Sequence, residues 1–442
     1  THPKFFWLTN FLETMMSAEL WQPATASTIA LEYKKILTKY ALETVGNTDH
    51  VQFQAHDFSF RGMQGVPGGT KSAMAHLTAF VGTDTVPAID ALERYYFANI
   101  EKELVGTSIP ATEHSVMCAH GQDELASFRE FITETYPSGY VSIVSDTWDF
   151  WNVIGTVLPA LKEDIMKRDG KVVIRPDSGV PEDIICGKEY TSAEDLYLDE
   201  YETEEEALNE YFSELWIHSK NSDHDHGDKS FEVEYRNLEG VLKRAEFEVL
   251  HVQQFEVACI GDSNLTITEL EDTLENKGLV QALYELIGGT VNDLGYIELD
   301  SHIGAIYGDG ITLKRAEEIC RRLKAKGYAS SNIVLGIGSF SYQYLTRDSL
   351  GFAMKATYIE VNGEGRMIFK APKTDTSKTS LRGRVVVYEE NGEIKYRDGL
   401  TKETEKAFEL TVKPLLETIF LNGEVKKTHT LSEIRQRIQS TI

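Results

Sequence analysis

The chain has 442 residues, of which 41% are hydrophobic and 10% aromatic, so it can build more than one hydrophobic core and is not disordered throughout. Its formal net charge of −26 argues against a nucleic-acid or anionic-membrane surface, because both need a clustered positive field. We therefore expect no nucleic-acid and no membrane partner, and we expect any anionic substrate to be bound by a few local cations and backbone dipoles.

No run approaches the roughly twenty apolar residues that span a bilayer, and no basic-then-apolar leader is seen. The cysteines have no paired spacing for zinc and are too few for a disulfide framework, so we expect a reducing, cytoplasmic location. They are Cys118, Cys186, Cys259 and Cys320. The first residue is Thr rather than Met, and we expect a fragment or a processed chain.

Residues 1–45 predict helices that flank the main domain, which we expect over residues 46–361. Eight strand-like runs occur in that region, and most end in polar or glycine-containing residues and precede a helical pattern. They cover residues 51–57, 76–84, 107–115, 140–149, 171–179, 303–310, 332–341 and 354–361. Strands that alternate with helices predict a parallel sheet, and this number of runs predicts an irregular (β/α)8-type barrel.

An acidic, partly low-complexity insertion interrupts this spacing over about residues 186–300 and is expected to be a solvated excursion. Residues 362–442 change to short hairpins turned by Asn-Gly and a last helix with a capping-box pattern at Thr430 and Glu433. The sequence therefore predicts an α/β protein with a second, smaller α+β domain.

In a parallel barrel the active site lies at the carboxyl ends of the strands. The predicted strand ends carry an unusual set of polar side chains and glycines, which are Asp57, Phe58, Arg61, Asp84, Glu113, His114, Ser145, Asp146, Asp149, Arg175, Asp177, Gly308, Asp309, Gly338 and Ser339. Glycine turns that lead into helices, at 308–310 and 336–338, expose backbone N–H groups and favour phosphate binding after the late strands. The cations available for a polyanion are Arg61, Arg175, Arg347, Lys355, Lys370 and Lys378.

Carboxylates at two of these strand ends suggest a magnesium site. Asp146, Asp149 and Asp177 could hold Mg²⁺, which prefers few protein carboxylates together with phosphate oxygens. The alternative is that Asp146 and Asp149 cap the helix that starts near Trp148. His114 stands beside Glu113 at a strand end, which favours a nucleophile or an acid–base group over a structural histidine.

The chain resembles a known family in several long motifs that occur in one order. The matching stretches are "WLTNFLET", "KKILTKYALETVGN", "HDFSFRG", "GTDTV", "EHS", "VSIVSDTWD", "VIRPDSG", "GDGI", "LTRDSL", "NGEG" and "FLNGEV". They are similar to those of the nicotinamide phosphoribosyltransferases, which are type II phosphoribosyltransferases. The resemblance runs from near residue 5 to the end and is interrupted only by the acidic insertion.

The resemblance implies transfer of a phosphoribosyl group from phosphoribosyl pyrophosphate to nicotinamide, with Mg²⁺, giving nicotinamide mononucleotide and pyrophosphate in NAD biosynthesis. It implies that ATP phosphorylates His114 and that His114, Arg175 and Asp177 are catalytic. The implied substrate contacts are Phe58 (stacked on nicotinamide), Arg61, Asp84, Ser145, Arg175, Pro176, Asp177, Gly308, Asp309, Gly338, Ser339 and Arg347. The implied pyrophosphate contacts are Arg61, His114 and Arg175. As the other available cations, Lys355, Lys370 and Lys378 are expected to join this phosphate site. The family also implies a homodimer with the active site at the interface.

Asp84 favours the amide substrate. A carboxylate accepts a hydrogen bond from a carboxamide but repels the carboxylate of nicotinate at close range. Two alternatives stay open, namely a nicotinate phosphoribosyltransferase and a catalytically silent ligand-binding homologue. The chain departs from the family in Ser339 and Phe340, which stand where glycines are usual. We also expect it to have no counterpart of the family's N-terminal segment, whose tyrosine reaches across the dimer.

Overall fold

The structure is a computed structural model that describes residues 1–220, 230–249, 263–308, 310–374, 376 and 379–442. A curled parallel sheet forms an irregular α/β barrel, and small antiparallel sheets lie in an insertion and in the C-terminal region. The predicted fold class, an irregular barrel with a smaller α+β region, is therefore confirmed. The domain boundaries given above stay predictions.

One long helix precedes the barrel. The elements up to the insertion are α1 (Leu8–Thr44), β1 (Ala55–Asp57), α2 (Gly65–His76), β2 (Gly82–Thr83), α3 (Pro87–Tyr96), α4 (His114–Ala119), α5 (Glu124–Glu130), β3 (Ser138–Val144), α6 (Phe150–Asn152), α7 (Leu158–Met166), β4 (Asp169–Arg175) and α8 (Pro181–Cys186). The C-terminal half of α1 packs on the barrel core through Tyr33, Leu37 and Ala41, which are buried.

The insertion contains a helix and a three-stranded antiparallel sheet. These are α9 (Glu204–Lys220), β5 (Ser230–Arg236), β6 (Leu242–Val249) and β7 (Ser263–Glu269). Phe212, Trp216, Tyr235 and Phe247 are buried together in a core of their own. The described part of the insertion is thus a packed subdomain, and the expectation of a solvated excursion was wrong because acidic surface residues hide its apolar spacing.

The chain then completes the barrel. The elements are α10 (Leu274–Lys277), α11 (Leu279–Ile287), β8 (Gly289–Val291), β9 (Ile297–Leu299), β10 (Ile303–Tyr307), α12 (Leu313–Ala325), β11 (Ile333–Ile337) and α13 (Ser339–Tyr342). Thr312 caps α12 through a bond from the N–H of Arg315 to its side chain, and Gly327 follows the helix with φ +79°. Residues of α11, including Leu279 and Leu283, belong to the barrel core, so the barrel resumes before residue 300.

The barrel sheet has the strand order β2-β1-β11-β10-β4-β3, and all its pairings are parallel. Segment 107–111 joins the two edges of this sheet through isolated bridges. Thr107 pairs with Gly82 of β2, and Ala111 pairs with Ser142 of β3. The six strands and segment 107–111 therefore close the ring. The run at 354–361 lies outside this ring, because its strand pairs with the hairpin strand that follows it.

Three hairpins and two helices are seen in the described part of the C-terminal region. The elements are β12 (Tyr358–Val361), β13 (Glu364–Met367), β14 (Arg384–Glu390), β15 (Glu393–Leu400), α14 (Lys402–Glu409), β16 (Phe420–Leu421), β17 (Glu424–Val425) and α15 (Leu431–Gln439). Each hairpin turns at an Asn-Gly pair in which both residues have positive φ, as a two-residue turn of type I′ requires. The capping box of Thr430 and Glu433 is present at the start of α15.

No helix within the described ranges has both the length and the apolar character needed to cross a bilayer.

Candidate active site

Three predicted site residues line one cavity of about 510 Å³ inside the barrel. Phe58 follows β1, Asp84 follows β2 and Arg175 ends β4, so the side chains come from the carboxyl ends of three parallel strands. This is the position at which the loops of a barrel converge. The geometry therefore brings together an aromatic ring, a carboxylate and a guanidinium.

Phe58 is held in place by its neighbours on both sides. Its backbone N–H donates to the carbonyl oxygen of Ile337 at 3.0 Å, and the guanidinium of Arg175 lies 4.9 Å from the centre of its ring. A Cβ atom at position 336 would lie 2.6 Å from the ring, so only glycine leaves room for it there. Gly336 thus has a steric role beside the cavity as well as a place in the strand.

Asp84 receives two hydrogen bonds on one carboxylate oxygen. The hydroxyl of Ser108 donates to Oδ1 at 2.7 Å, and Nε2 of His56 donates to the same oxygen at 2.9 Å. Burial opposes the charge, but the hydrogen bonds from His56 and Ser108 and the charge of Arg175 outweigh it and lower the pKa of Asp84 below its ordinary value. The group is therefore an anion at neutral pH.

A chain of polar contacts links Arg175 to His114 across the barrel mouth. Nη2 of Arg175 lies 3.7 Å from Oδ2 of Asp177, whose backbone N–H donates to Oδ2 of Asp146 at 3.0 Å. The other oxygen of Asp146 lies 3.1 Å from Nε2 of His114, and the hydroxyl of Ser178 also donates to Asp146 at 2.6 Å. Asp146 is 4% exposed while His114 is 43% exposed, so a buried carboxylate orients an accessible imidazole.

Gly308 allows two segments of the mouth to approach closely. Its N–H donates to the carbonyl oxygen of Pro176 at 3.3 Å. A Cβ atom at position 308 would lie 2.4 Å from Oδ1 of Asp177 and 3.0 Å from Nε of Arg175. Ser145 is buried beside them, and its hydroxyl donates to the carbonyl oxygen of Ile143 at 2.7 Å, so it supports the backbone from behind.

The remaining arginines and the late glycine turn lie nearer the rim. Arg61 is well exposed and lies 3.9 Å from Glu113, and Arg347 pairs with the adjacent Asp348 at 2.8 Å. Gly338 precedes α13, and Ser339 begins it. Ser339 approaches the loop of Arg61 so closely that a Cβ atom at Gly62 would overlap its hydroxyl.

Two predicted phosphate contacts fall in exposed segments. Lys355 and Lys370 are exposed and do not line the cavity. Asp309 and Lys378 lie outside the described residues. The roles suggested for these four residues stay predictions.

The carboxylates proposed for magnesium have other partners. Both oxygens of Asp146 accept hydrogen bonds from the protein, and Oδ1 of Asp149 accepts from the N–H of Asn152 as the cap of α6. Within the described ranges, no group of three or more His, Cys, Asp or Glu side chains is arranged to hold a metal ion. Asp146 and Asp149 are thus already engaged with the protein, and their suggested role as Mg²⁺ ligands stays a prediction.

Comparison with known proteins identifies the family of this barrel. The family model described as "Nicotinate phosphoribosyltransferase (NAPRTase) family" matches residues 53–217 and 267–423, which include the strand ends described above. The chain belongs to this family. Its members are phosphoribosyltransferases, and the gap in the match falls on the inserted subdomain.

Several curated relatives carry the name "Nicotinamide phosphoribosyltransferase". The protein of Acinetobacter baylyi is 42% identical over 446 residues, covering 99% of this chain and 71% of the relative. The protein of Mycoplasma pneumoniae is 32% identical over 86% of this chain and 64% of the relative, and that of Xanthomonas campestris is 26% identical over 98% and 73%. The chain thus spans roughly two thirds to three quarters of the length of these NAPRTase-family relatives.

The two side chains that bind Asp84 were missed by sequence reasoning. His56 and Ser108 both bind Asp84, although they lie 28 and 24 residues away along the chain. His56 lies two residues before Phe58, and the alternation of side chains along a strand could have placed both on the cavity side. Ser108 lies in the segment that closes the ring, which gives no comparable signal.

Proposed function

We propose that this NAPRTase-family member transfers the phosphoribosyl group of phosphoribosyl pyrophosphate to nicotinamide, giving nicotinamide mononucleotide and pyrophosphate for NAD salvage. The observation that carries the proposal is Asp84, an anion beside Phe58 in the barrel cavity. The names of the curated relatives support the same substrate.

Asp84 selects an amide over an acid in this proposal. His56 and Ser108 both bind Oδ1, which fixes the carboxylate and directs Oδ2 away from these two donors. A carboxamide N–H₂ group can donate to Oδ2, whereas the carboxylate of nicotinate would meet a like charge. The stacked position of the pyridine would be the exposed face of Phe58.

One specific observation favours nicotinate as the second candidate. The guanidinium of Arg175 also lines the cavity and could pair with a carboxylate on the pyridine ring. Asp177, which lies 3.7 Å from Arg175, partly offsets that positive charge. Nicotinamide is therefore the preferred base.

The test is competition between the two bases in an assay of pyrophosphate release. Wild-type protein should prefer nicotinamide in kcat/KM, and Asp84→Asn should reduce this preference at least about tenfold, because it removes both the acceptor charge and the repulsion. Asp90→Asn, an exposed residue of α3, is the matched control. Equal turnover of both bases by the wild type would contradict the proposal, and ligand binding without pyrophosphate release would indicate a silent homologue.

The transfer step joins the pyridine nitrogen to C1 of the ribose as the bond from C1 to the pyrophosphate oxygen breaks. Negative charge develops on the leaving pyrophosphate, so fixed cations at the mouth lower the barrier. We assign this role to Arg61 and Arg175 together with Lys355, Lys370 and Lys378. We expect Mg²⁺ to enter with the pyrophosphate oxygens as its main ligands, since Asp146 and Asp149 are engaged elsewhere.

His114 is the proposed site of phosphorylation by ATP. Its Nε2 faces Oδ1 of Asp146, an acceptor, so Nε2 carries the proton and Nδ1 carries the lone pair. Nδ1 attacks the γ-phosphorus of ATP, a nitrogen–phosphorus bond forms, the bond to the β,γ-bridging oxygen breaks, and ADP leaves. Hydrolysis of the phosphohistidine then couples ATP to the forward reaction.

A histidine at each end of α4 allows a test of this role. His114→Ala should remove the stimulation of the reaction by ATP while slow transfer survives, because only the phosphorylated group is lost. His120→Ala, at the other end of α4, should keep the stimulation. An unchanged effect of ATP in His114→Ala would refute the phosphohistidine.

The protein is also proposed to be a cytoplasmic homodimer. Trp7, Phe11 and Met15 recur at helical spacing and are 54%, 64% and 62% exposed, which is typical of a protein interface. We assign this face to a second copy, with the active site near the interface. Phe11→Glu combined with Met15→Glu should lower the sedimentation coefficient to that of a monomer, and an unchanged value would contradict this assignment.

The three cysteines in the described part of the chain are free thiols, as a reducing compartment favours.

A further inference from the structure

A buried carboxylate lies directly behind the base pocket. Asp57 is 0% exposed and accepts four hydrogen bonds. Its Oδ1 accepts from the N–H of Ser59 at 3.0 Å and from the Ser59 hydroxyl at 2.6 Å, and its Oδ2 accepts from the hydroxyls of Thr83 at 2.9 Å and Thr85 at 2.7 Å. The carboxylate therefore ties the loop after β1 to the loop after β2.

Asp57 and the residues that donate to it flank both side chains that are proposed to bind the pyridine base. Phe58 stands between Asp57 and Ser59, and Asp84 stands between the two threonines that donate to Asp57. Successive side chains of an extended segment point to opposite sides, so the bonded residues lie behind the pocket while Phe58 and Asp84 face into it. The backbone N–H of Asp84 also donates to the carbonyl oxygen of Asp57 at 3.1 Å.

The direction of the hydrogen bonds makes the arrangement specific for a carboxylate. The N–H of Thr85 donates to the hydroxyl oxygen of Thr83 at 3.0 Å, so the Thr83 hydroxyl proton is directed at Asp57. A buried carboxylate is stable only when such donors satisfy it. An Asn at this position would present an amide N–H₂ to one pair of donors, and one of the two loops would lose its attachment.

We propose that Asp57 is a positioning residue that sets the distance between Phe58 and Asp84, so that a pyridine stacked on the ring reaches the carboxylate. Asp57 does not line the cavity and acts only through its neighbours. The assignment rests on the proposed function, because it takes Phe58 and Asp84 as the base-binding pair.

The test compares nicotinamide binding with phosphoribosyl pyrophosphate kinetics in four variants. Asp57→Asn and Thr85→Val should each raise the Kd for nicotinamide, measured by calorimetry, by about tenfold or more, while the KM for phosphoribosyl pyrophosphate changes less than about twofold. Thr85→Ser keeps the hydroxyl and should restore wild-type binding. Thr44→Val is the matched control, since Thr44 is equally buried but its hydroxyl binds Tyr40 and Ser330 and makes no bond to Asp57 or its partners.

Each result decides the assignment. A Kd that rises in Thr85→Val, is restored in Thr85→Ser and is unchanged in Thr44→Val supports positioning, even if Asp57→Asn does not fold. An unchanged Kd in Thr85→Val, or an equal loss of affinity for both substrates, overturns the assignment and leaves only a structural role. A wild-type protein that binds no nicotinamide overturns the proposed function and this assignment with it.

Discussion

At the scale of single residues, His76 shows how burial sets a protonation state. Its side chain is fully buried, Nδ1 lies 2.7 Å from the hydroxyl of Tyr342, and its ring stacks on Phe80. Burial lowers the pKa of His76 to about 4, although the charge of Asp57 opposes this and that of His56 adds to it. The ring is therefore neutral beneath the pocket at physiological pH.

This pKa predicts an acid-sensitive stability. The folded-state pKa is below the ordinary value, so the unfolded chain binds more protons as the pH falls from about 6.5 toward 4, and stability is lost in that window. His76 should account for about 2 kcal/mol of the fall in unfolding free energy between pH 7.5 and 5. Urea unfolding of His76→Gln should show a correspondingly shallower pH dependence, with His218→Gln as an exposed control. Parallel pH profiles of wild type and His76→Gln would contradict the prediction.

At the scale of elements, one guanidinium of α15 makes four hydrogen bonds to the barrel. Arg435 donates to the carbonyl oxygens of Leu77, Phe80, Leu104 and Val105 at 2.9, 3.3, 2.7 and 2.8 Å. Those carbonyls lie after α2 and just before segment 107–111, which closes the ring, so the last helix supports the barrel wall.

Removing this guanidinium should destabilise the protein without changing its specificity. Arg435→Gln leaves several buried carbonyl groups unpaired and should cost about 2–4 kcal/mol of unfolding free energy. The measurement is urea denaturation monitored by circular dichroism, with Arg437→Gln on the same helix as the control. The relative use of nicotinamide and nicotinate should stay at its wild-type value, and a change would show that α15 acts on the pocket.

Local chemistry was predictable for many elements. The turn at Asn391-Gly392 and the capping box of Thr430 and Glu433 follow from short sequence signals, and both are present. The run at 354–361 has the same strand character as the barrel strands, but the Asn-Gly turn after it provides an antiparallel partner close by, and that local pairing prevails. The sequence alone could not show which partner a strand would take.

The candidate site was predictable to the same degree. Phe58, Asp84 and Arg175 follow from their places at strand ends, and the structure brings them to one cavity. The donors that fix Asp84 come from two other segments, and no local pattern links those segments to it. The sequence predicts Asp57 as one more polar residue at the strand ends, because it does not show that this side chain turns away from the cavity.

At the scale of the whole molecule, the inserted subdomain has a core separate from that of the barrel. Phe212 and Phe247 stack with ring centres 5.3 Å apart, and Trp216 is buried one helical turn beyond Phe212. A separate core predicts that damage to the insertion stays local.

Replacing Phe212 by alanine tests whether the core of the inserted subdomain is independent of the barrel core. Phe212→Ala should cost about 3–5 kcal/mol in the inserted core, because it removes a large buried side chain. Limited proteolysis should then cut faster within residues 204–249, while the KM for nicotinamide stays unchanged. Leu215→Ala, a more exposed position on the same helix, should leave the cleavage rate near that of the wild type. A rise in the KM for nicotinamide would show that the insertion and the pocket are coupled.

The closure of the barrel has a consequence for its opening. The ring is sealed on either side of segment 107–111 by single bridges, whereas the other neighbours in the sheet share longer ladders or at least adjacent pairs. Ser108 lies in segment 107–111, so any fluctuation that breaks these single bridges also removes a hydrogen-bond donor from Asp84. Amide hydrogens of segment 107–111 should exchange with solvent early. A bound base that holds Asp84 and Ser108 together would slow this exchange and stabilise the closed ring.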